Sequence, residues 1–123
     1  MRIDFKPGNM LYPVPVVMVS CADSEGRSDI VTVAWTGTIC TNPPMVYISL
    51  RPSRYSYDII KKSGEFVINL TNEKLVKIAD ECGVKSGRDI DKWKLLKIEQ
   101  LPSKVVAASS IKESPVCIEC KVE

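Results

Sequence analysis

One alternation of side chains, broken by two consecutive prolines, limits this chain more than any other feature. It lies in Gly26 to Tyr57, GRSDIVTVAWTGTICTNPPMVYISLRPSRYSY. From Ser28 the parity is that of an extended segment: Val31, Val33, Trp35 and Ile39 share one face, and Thr32, Ala34, Thr36 and Thr38 the other. The first face suits a core. The second is small and hydroxylated, so a flat group can lie against it and still find hydrogen bonds. Asn42-Pro43-Pro44 ends the segment, because neither proline has an N–H to give a ladder. A second strand over Met45–Arg51 puts Val46, Ile48 and Leu50 on one side and Tyr47, Ser49 and Arg51 on the other. Pro52-Ser53 then opens a helix over Ser53–Ser63, with Ser53 as its N-cap. Arg51, Ser53, Arg54 and Ser56 gather at that N-terminus, where cations, hydroxyls and free backbone N–H groups suit a phosphate dianion. The competing reading is a solvated basic helix start with an ordinary cap.

The rest of the chain reads as short strands and two short helices. Tyr12 to Ala22 is a first strand, with Pro13 and Pro15 near its entry. Asp23 to Arg27 turns it into a hairpin with the alternating segment. Gly64 ends the first helix. Glu65 to Leu70 alternates again, Phe66, Ile68 and Leu70 inward and Val67 and Asn69 outward. Thr71-Asn72 caps a second helix whose Leu75, Ile78, Ala79 and Cys82 follow helical spacing, and Gly83 stops it. Val84 to Asp89 is a polar turn. Ile90 to Leu96 is a helical turn presenting Lys92 and Trp93. Ile98–Leu101 and Lys104–Val106 are short strands around Pro102, and Val116–Val122 is a last strand. This pattern predicts one mainly β domain over residues 1–123, a small barrel with short flanking helices.

Composition removes several functions. The chain has no histidine, which excludes a His general base, a His-ligated metal and a Ser-His-Asp triad within it. Its 17 basic and 15 acidic residues are nearly balanced, and aromatics are few, so nucleic acid is not the expected partner. No apolar run approaches the ~18 residues of a membrane span. The N-terminal MRIDFKPGN carries charges where a signal peptide needs an apolar core, and five cysteines without an export signal read as reduced thiols in a cytoplasm. Cys117 and Cys120 have C-x-x-C spacing, but in a strand they face opposite ways and no second pair completes a metal site. Neither G-x-G-x-x-G nor G-x-x-x-x-G-K-[ST] occurs, so no dedicated dinucleotide fold is expected.

GRSDIVTVAW, TNPPMVYISLRPSRYS, GEFVINL and CGVKSGRDIDKW, in that order, resemble the flavin reductase-like, FMN-binding split-barrel family, and the flavoredoxin group in particular. The resemblance runs from about Tyr12 to the end of the chain. It implies a split β-barrel that binds FMN, commonly as a homodimer with FMN near the subunit interface. Carried onto this chain, Arg51, Ser53, Arg54 and Ser56 hold the phosphate, with Ser56 where the family usually has Thr. Thr32, Ala34, Trp35 and Thr36 form the wall for the isoalloxazine ring, Ser49 is a further cofactor-binding residue, and a bulge at Gly37 would let both Trp35 and Thr36 face the ring. Lys92 places a positive charge near ring or phosphate; otherwise it is a solvated lysine. Asp29 stands where the family commonly has Asn. An ionised Asp cannot donate to a flavin oxygen, and the alternative is a solvated hairpin residue. Family members usually continue beyond the final strand, which implies a truncated member.

The resemblance leaves three functions open. In the first, NAD(P)H docks transiently and passes electrons through FMN to an acceptor; the flavin does the chemistry and no side chain need act as nucleophile. In the second, a partner protein supplies the electrons, as in a flavoredoxin. In the third, the barrel binds no flavin.

Overall fold

Strand β1 (Val17–Ala22) is apolar on both sides, and the fold covers both. The computed structural model describes residues 1–123. Its main sheet is antiparallel, in the order β2–β1–β5–β8, with β2 at Ser28–Val33, β5 at Glu65–Leu70 and β8 at Cys117–Lys121. The β1–β2 hairpin runs from Val17 opposite Val33 to Ala22 opposite Ser28. Its turn is tied by Asp23, whose Oδ1 accepts from the backbone N–H groups of Glu25 and Arg27, and Gly26 supplies the left-handed residue at φ 84°.

Helix α1 (Tyr55–Ser63) lies on one sheet face, where Ile59 and Ile60 meet Val17, Val19, Val31, Val33, Phe66 and Ile68. The opposite face, through Met18 and Ile30, packs on Leu75, Ala79, Cys82 and Trp93. Those come from a 3₁₀ turn at Glu73–Leu75, α2 (Val76–Val84) and α3 (Lys92–Leu95). Fully burying each such aliphatic side chain is worth roughly 1.5–3 kcal/mol, so this two-sided cover stabilises β1 and β2 most. A separate hairpin, β3 (Thr36–Cys40) with β4 (Met45–Ile48), projects from the end of β2, and β6 (Gln100–Leu101) pairs with β7 (Ser110–Ile111).

The architecture is the mainly β one expected, with short helices at its flanks. Gly64 closes α1 in the left-handed region at φ 69°, and Asn72 caps the 3₁₀ turn by accepting from the Leu75 N–H. Cys117 and Cys120 do turn to different clusters. Several expectations are corrected. The first strand begins at Val17, not Tyr12, and the fourth stops at Ile48. Ser53 is not the cap: α1 starts at Tyr55 from Arg54, with no side-chain cap. Gly83 lies inside α2, close against Thr32, because the helix continues to Val84. Lys104–Val106 is not a strand; β6 pairs with Ser110–Ile111 instead. The parity of β2 does not carry past Val33. The chain bends at Ala34-Trp35, so Trp35 and Ile39 leave the core side and are 46% and 58% exposed.

Candidate cofactor site

The expected wall is built where β2 passes into β3. Thr32 lies on the α2 side of the sheet, and its hydroxyl donates to the Ala79 carbonyl. Thr36 donates to the Tyr47 carbonyl across the β3–β4 hairpin at 2.7 Å. Both hydroxyls therefore spend their proton within the protein and keep only acceptor lone pairs for a ligand's polar edge. Between them, Ala34 and Trp35 lie outside the strand ladders, apart from the Trp35 carbonyl, which accepts from the Ser49 N–H at 2.8 Å. Trp35 and Ser49 are exposed and Ala34 is half-buried. The ladder irregularity is not at Gly37, as the side-chain parity suggested, but between Thr38 and Cys40; Gly37 instead faces the Tyr47 ring, which a Cβ would approach to 3.1 Å.

The arginine turn precedes α1. Arg51 and Ser53 are exposed, and no carboxylate lies within ion-pair distance of Arg51. Arg54 is half-buried and donates through Nη2 to the Gly83 carbonyl at 3.1 Å, which ties the turn to α2. Arg88 adds a third guanidinium that the spacing around the helix start did not suggest. Its Nη1 donates to the Ser53 carbonyl at 3.0 Å, and its charge lies 5.8 Å from the Tyr55 ring centroid. The signal was in the SGRD of the later motif, but only the fold brings it to the turn.

Ser56 is placed behind this turn and not on its open side. It is fully buried, and its hydroxyl donates to Asp29 Oδ2 at 2.5 Å, so the expected phosphate contact through that hydroxyl is replaced by an internal one. Asp29 and Lys92 are each only 3% exposed, which overturns the solvated reading of both. Lys92 Nζ donates to the carbonyls of Ile30 at 2.6 Å and Cys82 at 3.0 Å. It also lies 3.3 Å from Asp29 Oδ1, off the angle of a hydrogen bond, so that oxygen has an ionic partner but no hydrogen-bond donor. Gly87 abuts the same carboxylate: a Cβ there would come within 2.5 Å of Asp29 Oδ1 and 2.6 Å of Tyr55 Cδ2. Burial pushes the nearby Cys21 thiol up to about 12 and Cys82 to about 11, so neither is a nucleophile at neutral pH.

Two clefts flank these groups. One of about 510 Å³ lies between β2 and α2 and reaches Thr32, Ala79 and Gly83. The other, about 1120 Å³, lies between the β3–β4 hairpin, α1 and the β8 edge, and takes in none of the expected site residues.

A sequence model of the flavin reductase like domain matches residues 9–123. The chain belongs to this family. A flavoredoxin of Desulfovibrio vulgaris (Miyazaki F) has the same fold at a TM-score of 0.93 and 33% identity, over 98% of this chain and 66% of that one. A putative flavin reductase with split barrel domain from Shewanella frigidimarina superposes at 0.81 with 21% identity, covering 89% and 56%, and carries the fold assignment alone. An uncharacterized protein of Archaeoglobus fulgidus is 29% identical over 112 residues, 91% of this chain and 62% of its own length. The chain thus spans less than two thirds of the length of each of these three relatives. In this fold the wall segment follows the Val33 end of β2, while Ser56 and Lys92 meet Asp29 near its Ser28 end. No helix is long and apolar enough to cross a membrane.

Proposed function

We propose that this chain binds FMN and serves as a flavin reductase-like oxidoreductase, passing electrons from NAD(P)H through the flavin to an acceptor. The observation that carries this reading is the arginine turn. Arg51 is exposed and unpaired, Arg54 and Arg88 are braced on carbonyls beside it, and the turn runs into the N-terminus of α1. The first-turn N–H groups of a helix lack intrahelical acceptors, so this end favours an anion.

When bound, the flavin supplies hydride and electron transfer. The chain's residues bind and orient. Arg51, Ser53 and Arg54 hold the phosphate, and Ser56 fixes the helix start from within. Ala34 and Trp35 offer backbone groups free of the ladders, with the exposed Trp35 and Ser49 beside them. Thr32 and Thr36 shape this wall by tying it to α2 and β4. Lys92 is held inside the fold, on the Ile30 and Cys82 carbonyls beside Asp29. The functional protein is a homodimer in the cytoplasm.

A second reading, electron transfer from a partner protein, is supported by the 33% identity with a flavoredoxin. The purified chain, loaded with FMN, should show a flavin absorption band, and NADH or NADPH added without oxygen should bleach it. Bleaching only by a protein donor would favour the second reading. Absence of the band after incubation with FMN would leave a barrel that takes no flavin.

A further inference from the structure

The buried Asp29–Lys92 pair belongs to no surface, and the reading above does not require its charges. Its contacts show where it acts. Asp29 is the second residue of β2, Lys92 opens α3, and Ser56 is the second residue of α1. One carboxylate receives the Ser56 hydroxyl on Oδ2 at 2.5 Å and the Lys92 ammonium beside Oδ1 at 3.3 Å. The same ammonium donates to carbonyls of β2 and of α2, through Ile30 and Cys82. The segment that brings Lys92 also brings Gly87 against the carboxylate and Arg88 onto the Ser53 carbonyl. The 86–92 segment therefore grips the arginine turn twice: outside at Ser53, and inside at Ser56 through Asp29.

We propose that Asp29 and Lys92 form a positioning unit that, through Ser56, sets the orientation of the arginine turn and hence its selectivity for a phosphorylated flavin. This rests on the FMN-binding reading. Two physical arguments support it. A buried carboxylate without its cation either remains as an uncompensated charge or takes up a proton, and each changes the hydrogen bond that Ser56 makes. The charges also cancel within the unit, so the guanidiniums outside are left to face an anion undiminished. An Asn at position 29 could accept from Ser56 without needing a cation. Asp at position 29 makes Lys92 a necessary partner, and the two positions are coupled.

The test uses the full chain as Asp29→Asn, Lys92→Met, the double variant, Ser56→Ala and Ser56→Thr. The first readout is the ratio of riboflavin to FMN dissociation constants. Loss of one member should lower that ratio by roughly tenfold, and the double variant should regain most of it, since coupled residues are not additive. Ser56→Ala removes only the link to α1 and leaves the pair intact, so it serves if a single charge variant does not fold. It should lower the ratio as well, and Ser56→Thr, which keeps the hydroxyl, should restore it. The second readout needs no flavin: amide exchange should accelerate in residues 51–58 of Ser56→Ala while the Ile60 end of α1 stays protected. A folded Ser56→Ala with the wild-type ratio and unchanged exchange overturns the inference. So does a double variant no better than the worse single. Wild type that binds neither flavin defeats the FMN reading instead, and exchange then decides the positioning role alone.

Discussion

Two groups of charges flank the start of α1, and they sit in different media. Outside, Arg51, Arg54 and Arg88 face water or brace the turn on carbonyls, with no acid paired to Arg51. Inside, Asp29 and Lys92 are almost wholly buried and complete one another. The outer group is cheap to hold, because water solvates it, and it is available to a ligand. The inner group is costly to desolvate and can be kept only as a hydrogen-bonded pair. The difference teaches which substitutions should be felt as lost binding and which as lost stability. Ser56 is the single side chain that connects the two.

The comparison breaks most sharply if one inner charge is removed. Lys92→Met should destabilise the fold by about 3–5 kcal/mol, because Asp29 is left buried and unpaired. Chemical denaturation of wild type, Lys92→Met and the double variant with Asp29→Asn measures this. A loss below about 1 kcal/mol, the scale of an exposed pair, would mean that water reaches the pair in solution.

The outer group should respond in the opposite way. Arg51→Ala should leave the denaturation midpoint where it is and weaken FMN by roughly ten- to a hundredfold, the scale of one charge-assisted hydrogen bond. Riboflavin, which has no phosphate, should bind as before. Equal weakening of both ligands, measured by fluorescence titration, would show that Arg51 does not meet the phosphate.

The asymmetry also separates what the sequence could and could not reveal. The alternation of β5 misled, because both sheet faces are covered and Val67 and Asn69 are fully buried. The local signals that were legible are the parity of Val31 and Val33, the Asp23–Arg27 turn, the Gly64 stop and the Asn72 cap. Each depends on neighbours a few positions apart. Arg51, Ser53 and Arg54 were legible as a group for the same reason. The inner pair was not, because Ile30 and the Lys92 that bonds its carbonyl are 62 positions apart. An Asp near the start of a strand and a Lys beginning a short helix each look solvated until the sheet and α2 close over them. The failure at Trp35 and Ile39 has another cause. Period-two parity assumes an unbroken strand, and the bend at Ala34-Trp35 resets it. The burial of Ser56 was hidden because its direction depends on where α1 begins, two residues later than the sequence suggested.

A third test probes the inner medium through Cys21, whose thiol touches the Asp29 carbonyl from β1. Burial holds it at about 12 against an ordinary 9.0, with hydrogen bonds from the Ser56 side opposing the rise. The folded state therefore favours the neutral thiol. That contribution is fully present below pH 9, the unfolded value, and is lost as pH rises toward 12. Between pH 8 and pH 10 the loss is on the order of 1.4 kcal/mol. Comparing wild type with Cys21→Ala at pH 8 and pH 10 isolates it: the variant should lack this part of the alkaline slope. The same slope in both proteins would mean that Cys21 does not set it.

The smallest effect should come from a charge network that resembles the inner pair on paper but lies outside. Arg27 donates to Asp23 and, through Nη1, to Asp58 at 3.0 Å, linking the β1–β2 turn to α1. Lys62 lies 3.5 Å from Asp58 on the next turn of the helix. The Arg27 hydrogen bond, opposed by slight desolvation and aided by Lys62, holds the Asp58 carboxyl below its ordinary range. A depressed carboxylate contributes stability above its unfolded pKa and loses it as pH falls through the folded one, so the network should matter at neutral pH and fade in acid. Asp58 is about half exposed and the pairs are open to ions, so the contribution is small and screened by salt. Arg27→Gln should therefore shift the midpoint only slightly at pH 7 in low salt, and the shift should vanish both at acid pH and in about 1 M salt, where the Debye length is near 3 Å. Lys92→Met should keep its large penalty in that same salt, since counterions do not reach a buried pair. Equal salt sensitivity in the two variants would mean that inner and outer charges share one medium, and the distinction between them would fall.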